Sequence, residues 1–69
     1  MPLTFSNPGE KQVIVRIGGN EKTRKFLENL GFVQGQEVSV VSSLNGNLIV
    51  SVKDSRVAID ESMATKIFV

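Results

Sequence analysis

The side chains that could do chemistry in this sequence are almost all carboxylates. The chain contains neither histidine nor cysteine, which excludes disulfides, thiolate zinc sites and catalysis by an imidazole. Carboxylates alone favour weak binding of hard cations rather than tight binding of a transition metal. Outside residues 20–35 they belong to Glu10, Glu37, Asp54, Asp60 and Glu61. We therefore expect no metal site and no cofactor.

Asp60 and Glu61 are adjacent, but a general acid–base role would require a pocket and further partners around them. A helix cap explains the pair better. Asp60 can accept an amide of the helical turn that follows, and Glu61 then lies near the positive end of that helix. Ser42, Ser43 and Ser51 have no base that could activate them as nucleophiles. The sequence thus predicts a protein that is not an enzyme.

A basic cluster, consisting of Lys22, Arg24 and Lys25, is the first candidate binding site. It could meet an acidic surface of a partner protein, although the solvated face of a helix has the same composition. The net charge is only +1, and the chain has no Trp or Tyr. It therefore lacks the strong positive charge and most of the stacking side chains typical of nucleic-acid binders. We expect a protein partner and no nucleic acid.

The second candidate binding site is the turn around Asn45-Gly46-Asn47. Leu44 and Leu48 flank this turn, and half-covered leucines beside polar asparagines would offer a partner an apolar contact with a polar rim. The alternative is that both leucines close the end of a barrel. The candidate partner-binding residues here, called the hairpin tip below, are Leu44, Asn45 and Asn47.

Residues 21–30 are predicted to form the one full helix, which would carry the basic cluster. Asn20 can accept an amide of the first turn, and Gly31 can adopt the left-handed conformation that often ends a helix. Phe32 can then fold back on the last turn. The apolar side of this helix consists of Thr23, Phe26, Leu27 and Leu30.

Alternating apolar residues predict strands at 11–17, 37–44, 48–52, 56–59 and 67–69. The second and third of these strands form a hairpin. A two-residue Asn-Gly loop would divide their apolar residues between two faces, whereas a three-residue loop pairs Leu44 with Leu48. We therefore predict the three-residue loop. It places one apolar set on a single face: Val38, Val40, Leu44, Leu48, Val50 and Val52.

The predicted element order is strand, helix, hairpin, short strand, one-turn helix and strand, in one domain spanning residues 1–69. This order favours a mostly β fold, a small, partly open five-stranded barrel with an inserted helix and a one-turn helix before the last strand. Apolar runs such as Val13–Val15 are far too short to cross a bilayer, and no signal-peptide pattern opens the chain. We expect a cytoplasmic protein without membrane insertion.

The chain resembles the FeoA family along nearly its whole length. Each matching segment is short, but their order and spacing together make the resemblance specific. Gln34 and Asn47 stand where the family often has proline. The segments are P-G-E at 8–10, I-x-x-I-G-G at 14–19, F-L-E-N-L-G-F-V-Q-G at 26–35, N-G-N-L-I-V-S-V at 45–52, S-R-V-A-I at 55–59 and M-A-T-K-I-F-V at 63–69.

This resemblance implies an SH3-like barrel with an inserted helix, a domain type shared with iron-dependent repressors. It also implies a small cytosolic accessory protein of ferrous iron uptake that binds FeoB, the membrane transporter GTPase. We expect it to act as a monomer or weak homo-oligomer. Two other functions stay open: an RNA- or ribosome-binding SH3-like barrel, and a detached repressor-type domain that binds a peptide.

Overall fold

Six short strands and two α-helices make up the computed structural model, which describes residues 1–69. A single 3-10 turn, Leu3–Phe5, precedes the first strand. None of the helices combines the length and the apolar composition needed to cross a membrane. The strands are β1 Lys11–Val13, β2 Arg16–Ile17, β3 Glu37–Leu44, β4 Asn47–Val52, β5 Ser55–Asp60 and β6 Ile67–Phe68; the helices are α1 Glu21–Asn29 and α2 Glu61–Ala64.

Helix α1 presents a narrower apolar face to the core than its helical wheel predicts. Its first turn is capped as expected, because the Asn20 side chain accepts the Thr23 amide at 2.8 Å. Leu27 is fully buried, whereas Phe26 keeps 50% of its surface exposed. Adjacent residues lie about 100° apart around a helix, so a helix that meets the core along one line cannot bury both. The prediction for Phe26 is therefore wrong.

The end of α1 is a Schellman motif. The Phe32 amide donates to the Leu27 carbonyl at 3.0 Å, and the Gly31 amide donates to the Glu28 carbonyl at 2.9 Å. This motif requires a left-handed residue after the helix, and Gly31 supplies it with a φ of 107°. The reversal returns Phe32 to the core, where it is fully buried. Both the glycine stop and the folded-back phenylalanine are confirmed.

The β3–β4 hairpin differs in register from the predicted one. Its loop has two residues, Asn45 and Gly46, with φ values of 51° and 81°. Leu44 consequently pairs with Asn47 and not with Leu48. Positive φ at both loop positions is typical of the turns that match the twist of a two-residue hairpin, and Asn-Gly is their preferred sequence. The predicted three-residue loop is wrong.

A β-bulge at Val41 reconciles the two-residue loop with an apolar core face. The register shifts between Val40 and Ser42, which leaves Val41 as an extra residue in β3. An extra residue moves the side chains on one side of it to the opposite face. Val40 and Val50 therefore pair and are buried, whereas Leu44 remains 66% exposed. The other five apolar residues predicted on this face are all buried.

The predicted strand over residues 11–17 divides into β1 and β2 because its two halves pair with different strands. β1 is antiparallel to β3, and β2 is antiparallel to β6. Between them, the Ile14 carbonyl accepts the Gly35 amide at 2.8 Å, and the Val15 amide donates to the Phe68 carbonyl at 2.8 Å. At this change of partner strand, Ile14 is buried and Val15 is exposed.

The strands form two open antiparallel sheets and not the predicted partly open five-stranded barrel. One sheet has the order β1-β3-β4-β5, and the other consists of β2 and β6. The count of six strands follows from the division of the first predicted strand. The mostly β architecture, the single full helix and the one-turn helix before the last strand are confirmed.

One core cluster joins residues from both sheets, both α-helices and the N-terminal turn. No polar or charged residue is buried. The two chain ends meet beside this core, since the Val69 amide donates to the Met1 carbonyl at 2.8 Å and Pro2 forms a β-bridge with Phe68. The twelve core residues are Leu3, Ile14, Leu27, Phe32, Val38, Val40, Leu48, Val50, Val52, Ile59, Ala64 and Ile67.

Candidate functional site

A groove of about 310 Å³ lies beside the β3–β4 turn. Its walls come from three separate parts of the chain: the N-terminal segment, the hairpin and the first residue of α2. Two backbone hydrogen bonds hold these parts together. The Gly9 amide donates to the Val40 carbonyl at 2.8 Å, and the Glu61 amide donates to the Gly46 carbonyl at 3.0 Å. The groove is therefore built by long-range contacts into the fold.

All three residues of the predicted hairpin tip, Leu44, Asn45 and Asn47, line this groove. Leu48 also contributes to the wall, but it is only 8% exposed and belongs to the core. The alternative that both leucines close the end of a barrel therefore holds only for Leu48. Leu48 closes the core, and Leu44 is left largely open to solvent.

The rest of the groove lining is not predicted from the sequence. It includes Ser6 and Pro8 from the N-terminal segment and Glu61 from α2. The Ser6 hydroxyl oxygen is buried without a hydrogen-bond partner in the protein, whereas buried polar atoms are usually paired. A partial signal was available, because the Pro8-Gly9 turn, with a φ of 87° at Gly9, reverses the chain. No local sequence pattern predicts that this turn contacts the hairpin.

The basic cluster lies on the exposed face of α1 and does not line the groove. Lys25 forms an ion pair with Glu21 at 3.1 Å, one helical turn away. Exposed pairs of this kind contribute only about 0.3–0.5 kcal/mol. Lys22 and Arg24 form no ion pair. The six predicted contact residues therefore fall into two groups, three gathered at the groove and three cations on α1.

Asp60 and Glu61 act as the cap and the first residue of α2, as the sequence predicted. The Asp60 Oδ1 accepts the Met63 amide at 2.8 Å and the Ser62 hydroxyl at 2.9 Å. The backbone hydrogen bond from Met63, followed by the hydroxyl of Ser62, lowers the pKa of the Asp60 carboxyl from its ordinary value. Both bonds favour the charged carboxylate. Asp60 is therefore engaged in holding local structure.

The carboxylates of the chain do not assemble into a metal site. No group of three or more His, Cys, Asp or Glu side chains is placed to hold a metal ion. Transition metals prefer imidazole and thiolate ligands, and the sequence contains neither. The residues present therefore do not fit a tightly held iron or zinc ion, and no chemical step is assigned to one.

The sequence profile of the FeoA domain matches residues 1–69 of the chain. The chain belongs to the FeoA domain family. A protein of Methanocaldococcus jannaschii with a provisional assignment as Fe(2+) transport protein A is 32% identical over 68 residues, which cover 99% of this chain and 83% of the relative. The resemblance predicted from short segments of sequence is thereby confirmed.

Two solved FeoA structures share the fold of this FeoA domain. A FeoA described as an iron uptake regulatory protein has a TM-score of 0.89 at 31% identity, covering 97% of this chain and 91% of its own. The FeoA of Stenotrophomonas maltophilia, described as a prokaryotic SH3 domain protein and complexed with zinc, has a TM-score of 0.83 at 27% identity, covering 97% and 86%. The fold is therefore SH3-like, built as two open sheets.

Proposed function

We propose that this FeoA-domain protein is a cytoplasmic accessory protein of ferrous iron uptake that binds the cytosolic part of a FeoB-type transporter. The observation that carries the proposal is the match of the FeoA domain to residues 1–69. The assignment of the M. jannaschii relative to Fe(2+) transport supports it. Because the chain has no histidine or cysteine to hold iron itself, contact with a transporter is the simplest way for it to act.

The hairpin tip supplies the apolar anchor of the proposed interface. Leu44 is 66% exposed and stands between polar neighbours at the rim of the groove. Full burial of a leucine contributes about 1.5–3 kcal/mol. Covering the exposed part of Leu44 is therefore worth about 1–2 kcal/mol, or roughly tenfold in Kd. An anchor of this kind controls mainly the dissociation rate.

The basic cluster supplies long-range attraction towards an acidic surface of the transporter. Its three side chains are solvent-exposed, so salt screens them and they contribute little once the complex has formed. Charges at the rim of an interface act chiefly on the association rate. The two groups of predicted residues are thus expected to affect binding kinetics in different ways.

The experiment immobilises the cytosolic domain of the transporter and measures binding kinetics in its GTP-bound and GDP-bound states over a range of salt concentrations. One variant replaces the three cations of the basic cluster with Glu. It should slow association roughly tenfold at low salt and flatten the salt dependence. Its control makes the same charge change at exposed positions elsewhere, Lys53, Arg56 and Lys66.

A second variant, Leu44→Ser, should leave association unchanged and speed dissociation about tenfold. Its control is Val13→Ser, which removes a half-exposed apolar side chain from β1. If neither the charge variant nor Leu44→Ser differs from its control, this surface is not the interface. If the wild-type protein binds in neither nucleotide state, the proposed docking on the cytosolic domain is wrong.

A further inference from the structure

The groove beside the hairpin tip has a negative charge in its lining and no positive charge. Eleven residues line it, and Glu61 is the only one of them with an ionisable side chain. Neither of the two ion pairs of the protein involves Glu61. Its carboxylate is therefore free to pair with a cation that comes from outside, and no lysine or arginine of the wall competes for it.

The uncharged polar side chains of the groove provide further acceptors. The side-chain amides of Asn45 and Asn47 form no hydrogen bond within the protein. Each of these groups can accept a hydrogen bond through an oxygen. A ligand with several donors and a positive charge would satisfy them together with Glu61.

The placement of Glu61 is fixed by the fold. Its amide donates to the Gly46 carbonyl at 3.0 Å, and the Asp60 cap holds the start of α2 on the other side. Glu61 is thus tied to the loop of the hairpin by its own backbone. A ligand that enters the groove meets a carboxylate whose main chain needs no rearrangement, which reduces the cost of binding.

We propose that the groove receives an arginine side chain from the transporter's cytosolic part. The guanidinium group carries five donors and no acceptor, which suits a site made of one carboxylate and several neutral acceptors. Its charge complements Glu61, and Leu44 at the rim would cover its aliphatic stem. This inference rests on the proposed function, because it names the chemistry that the hairpin tip recognises in the partner.

The first test uses a small probe and does not need the transporter. Isotope-labelled protein is titrated with N-acetyl-argininamide and, in parallel, with its neutral citrulline analogue, and amide chemical shifts are followed by NMR. We expect the arginine probe to shift the signals of Ser6, Asn45, Gly46, Asn47 and Glu61, and the citrulline analogue to shift them several-fold less. Equal shifts with both probes, or shifts elsewhere, would overturn the proposal.

The variant Glu61→Gln removes the charge and keeps the shape of the side chain. It should abolish the response to the arginine probe, whereas the control Glu28→Gln on α1 should keep it. A thermal melt of each variant shows that the fold is kept. A normal response in Glu61→Gln would overturn the proposal.

The second test uses the cytosolic domain of the transporter. Each arginine of that domain is replaced by alanine, and binding is measured with the wild-type protein and with Glu61→Gln. One replacement should weaken binding of the wild type roughly three- to fivefold and have no further effect on Glu61→Gln. Binding without any such coupled arginine overturns the proposal. If the wild type does not bind the domain at all, the proposed function fails, and the probe titration still decides what the groove accepts.

Discussion

Asp60 joins strand β5 to helix α2. It is the last residue of β5, where it pairs with Asn47, and its side chain accepts the amide of Met63 to start α2. The same oxygen accepts the Ser62 hydroxyl. Because these bonds favour the carboxylate, the pKa of Asp60 lies below its ordinary value. The position of Glu61 in the groove depends on this cap together with the hydrogen bond from the Glu61 amide to the Gly46 carbonyl.

The lowered pKa of Asp60 predicts a stability contribution that acid removes. A carboxyl whose pKa is lower in the folded than in the unfolded protein stabilises the fold fully above the unfolded pKa, about 4. This contribution is lost as the pH falls through the folded pKa. Urea unfolding from pH 7 downwards should therefore show a stabilising effect of Asp60 that declines below about pH 4.

Asp60→Asn is the matched control for this pH dependence. Asparagine also caps helices through a side-chain oxygen, but it does not titrate. The difference in unfolding free energy between the wild type and Asp60→Asn should shrink as the pH falls below about 4. A difference that stays constant over this range would show that the charge of Asp60 has no part in the stability of α2.

At the scale of elements, the sequence predicts the features that depend on interactions between residues close together in the chain. The sequence predicts the capped start and glycine end of α1 and the Asp60 cap of α2, since each depends on residues within one turn. The sequence does not predict the register of the hairpin correctly. Two local rules disagreed, the Asn-Gly preference for a two-residue loop and the alternation of apolar residues. The bulge at Val41 satisfies both, and only pairing with β4 reveals it.

The C-terminal strand β6 should be essential despite its two residues. Ile67 is fully buried and pairs with Ile17, and the Phe68 carbonyl accepts the Val15 amide at 2.8 Å. Replacing one buried isoleucine with alanine typically costs 2–5 kcal/mol, and a core of this size supplies only about 3–5 kcal/mol in total. Deletion of residues 67–69 is therefore predicted to unfold the protein.

Circular dichroism melts of the full chain and of the truncated chain test the role of β6. Deletion of Val69 alone serves as the control, because it keeps Ile67 and removes only a half-buried residue beside Met1. The full truncation should lose its cooperative transition, and the control should retain one at a lower temperature. A truncated chain that still melts cooperatively near the temperature of the full chain would disprove the prediction.

At the scale of the whole molecule, the sequence predicted the architecture better than the site. A mostly β chain with one inserted helix follows from patterns that span a few residues each. The groove instead depends on Ser6 and Glu61, which come from opposite ends of the sequence and meet at the hairpin. No periodicity or spacing relates them, so the sequence points to the hairpin tip but not to the residues that face the groove from the rest of the chain.

The composition of the whole molecule leads to a prediction about metals. The FeoA of S. maltophilia was crystallised with zinc, whereas this chain has no histidine or cysteine and no group of three carboxylates placed to hold an ion. Transition metals bound through isolated carboxylates are held weakly. Calorimetry with zinc, and with ferrous iron under anaerobic conditions, should therefore detect no stoichiometric site of submicromolar affinity.

A positive control shows that the calorimetry can detect zinc bound to this fold. Lys22 and Phe26 lie four residues apart on exposed positions of α1, so changing both to histidine places two imidazoles on one face of the helix. The double variant should bind zinc measurably more tightly than the wild type, because imidazole is the ligand that the natural chain lacks. A tight, stoichiometric site in the wild type would contradict the prediction, and it would mean that carboxylates separated in this fold come together around the ion.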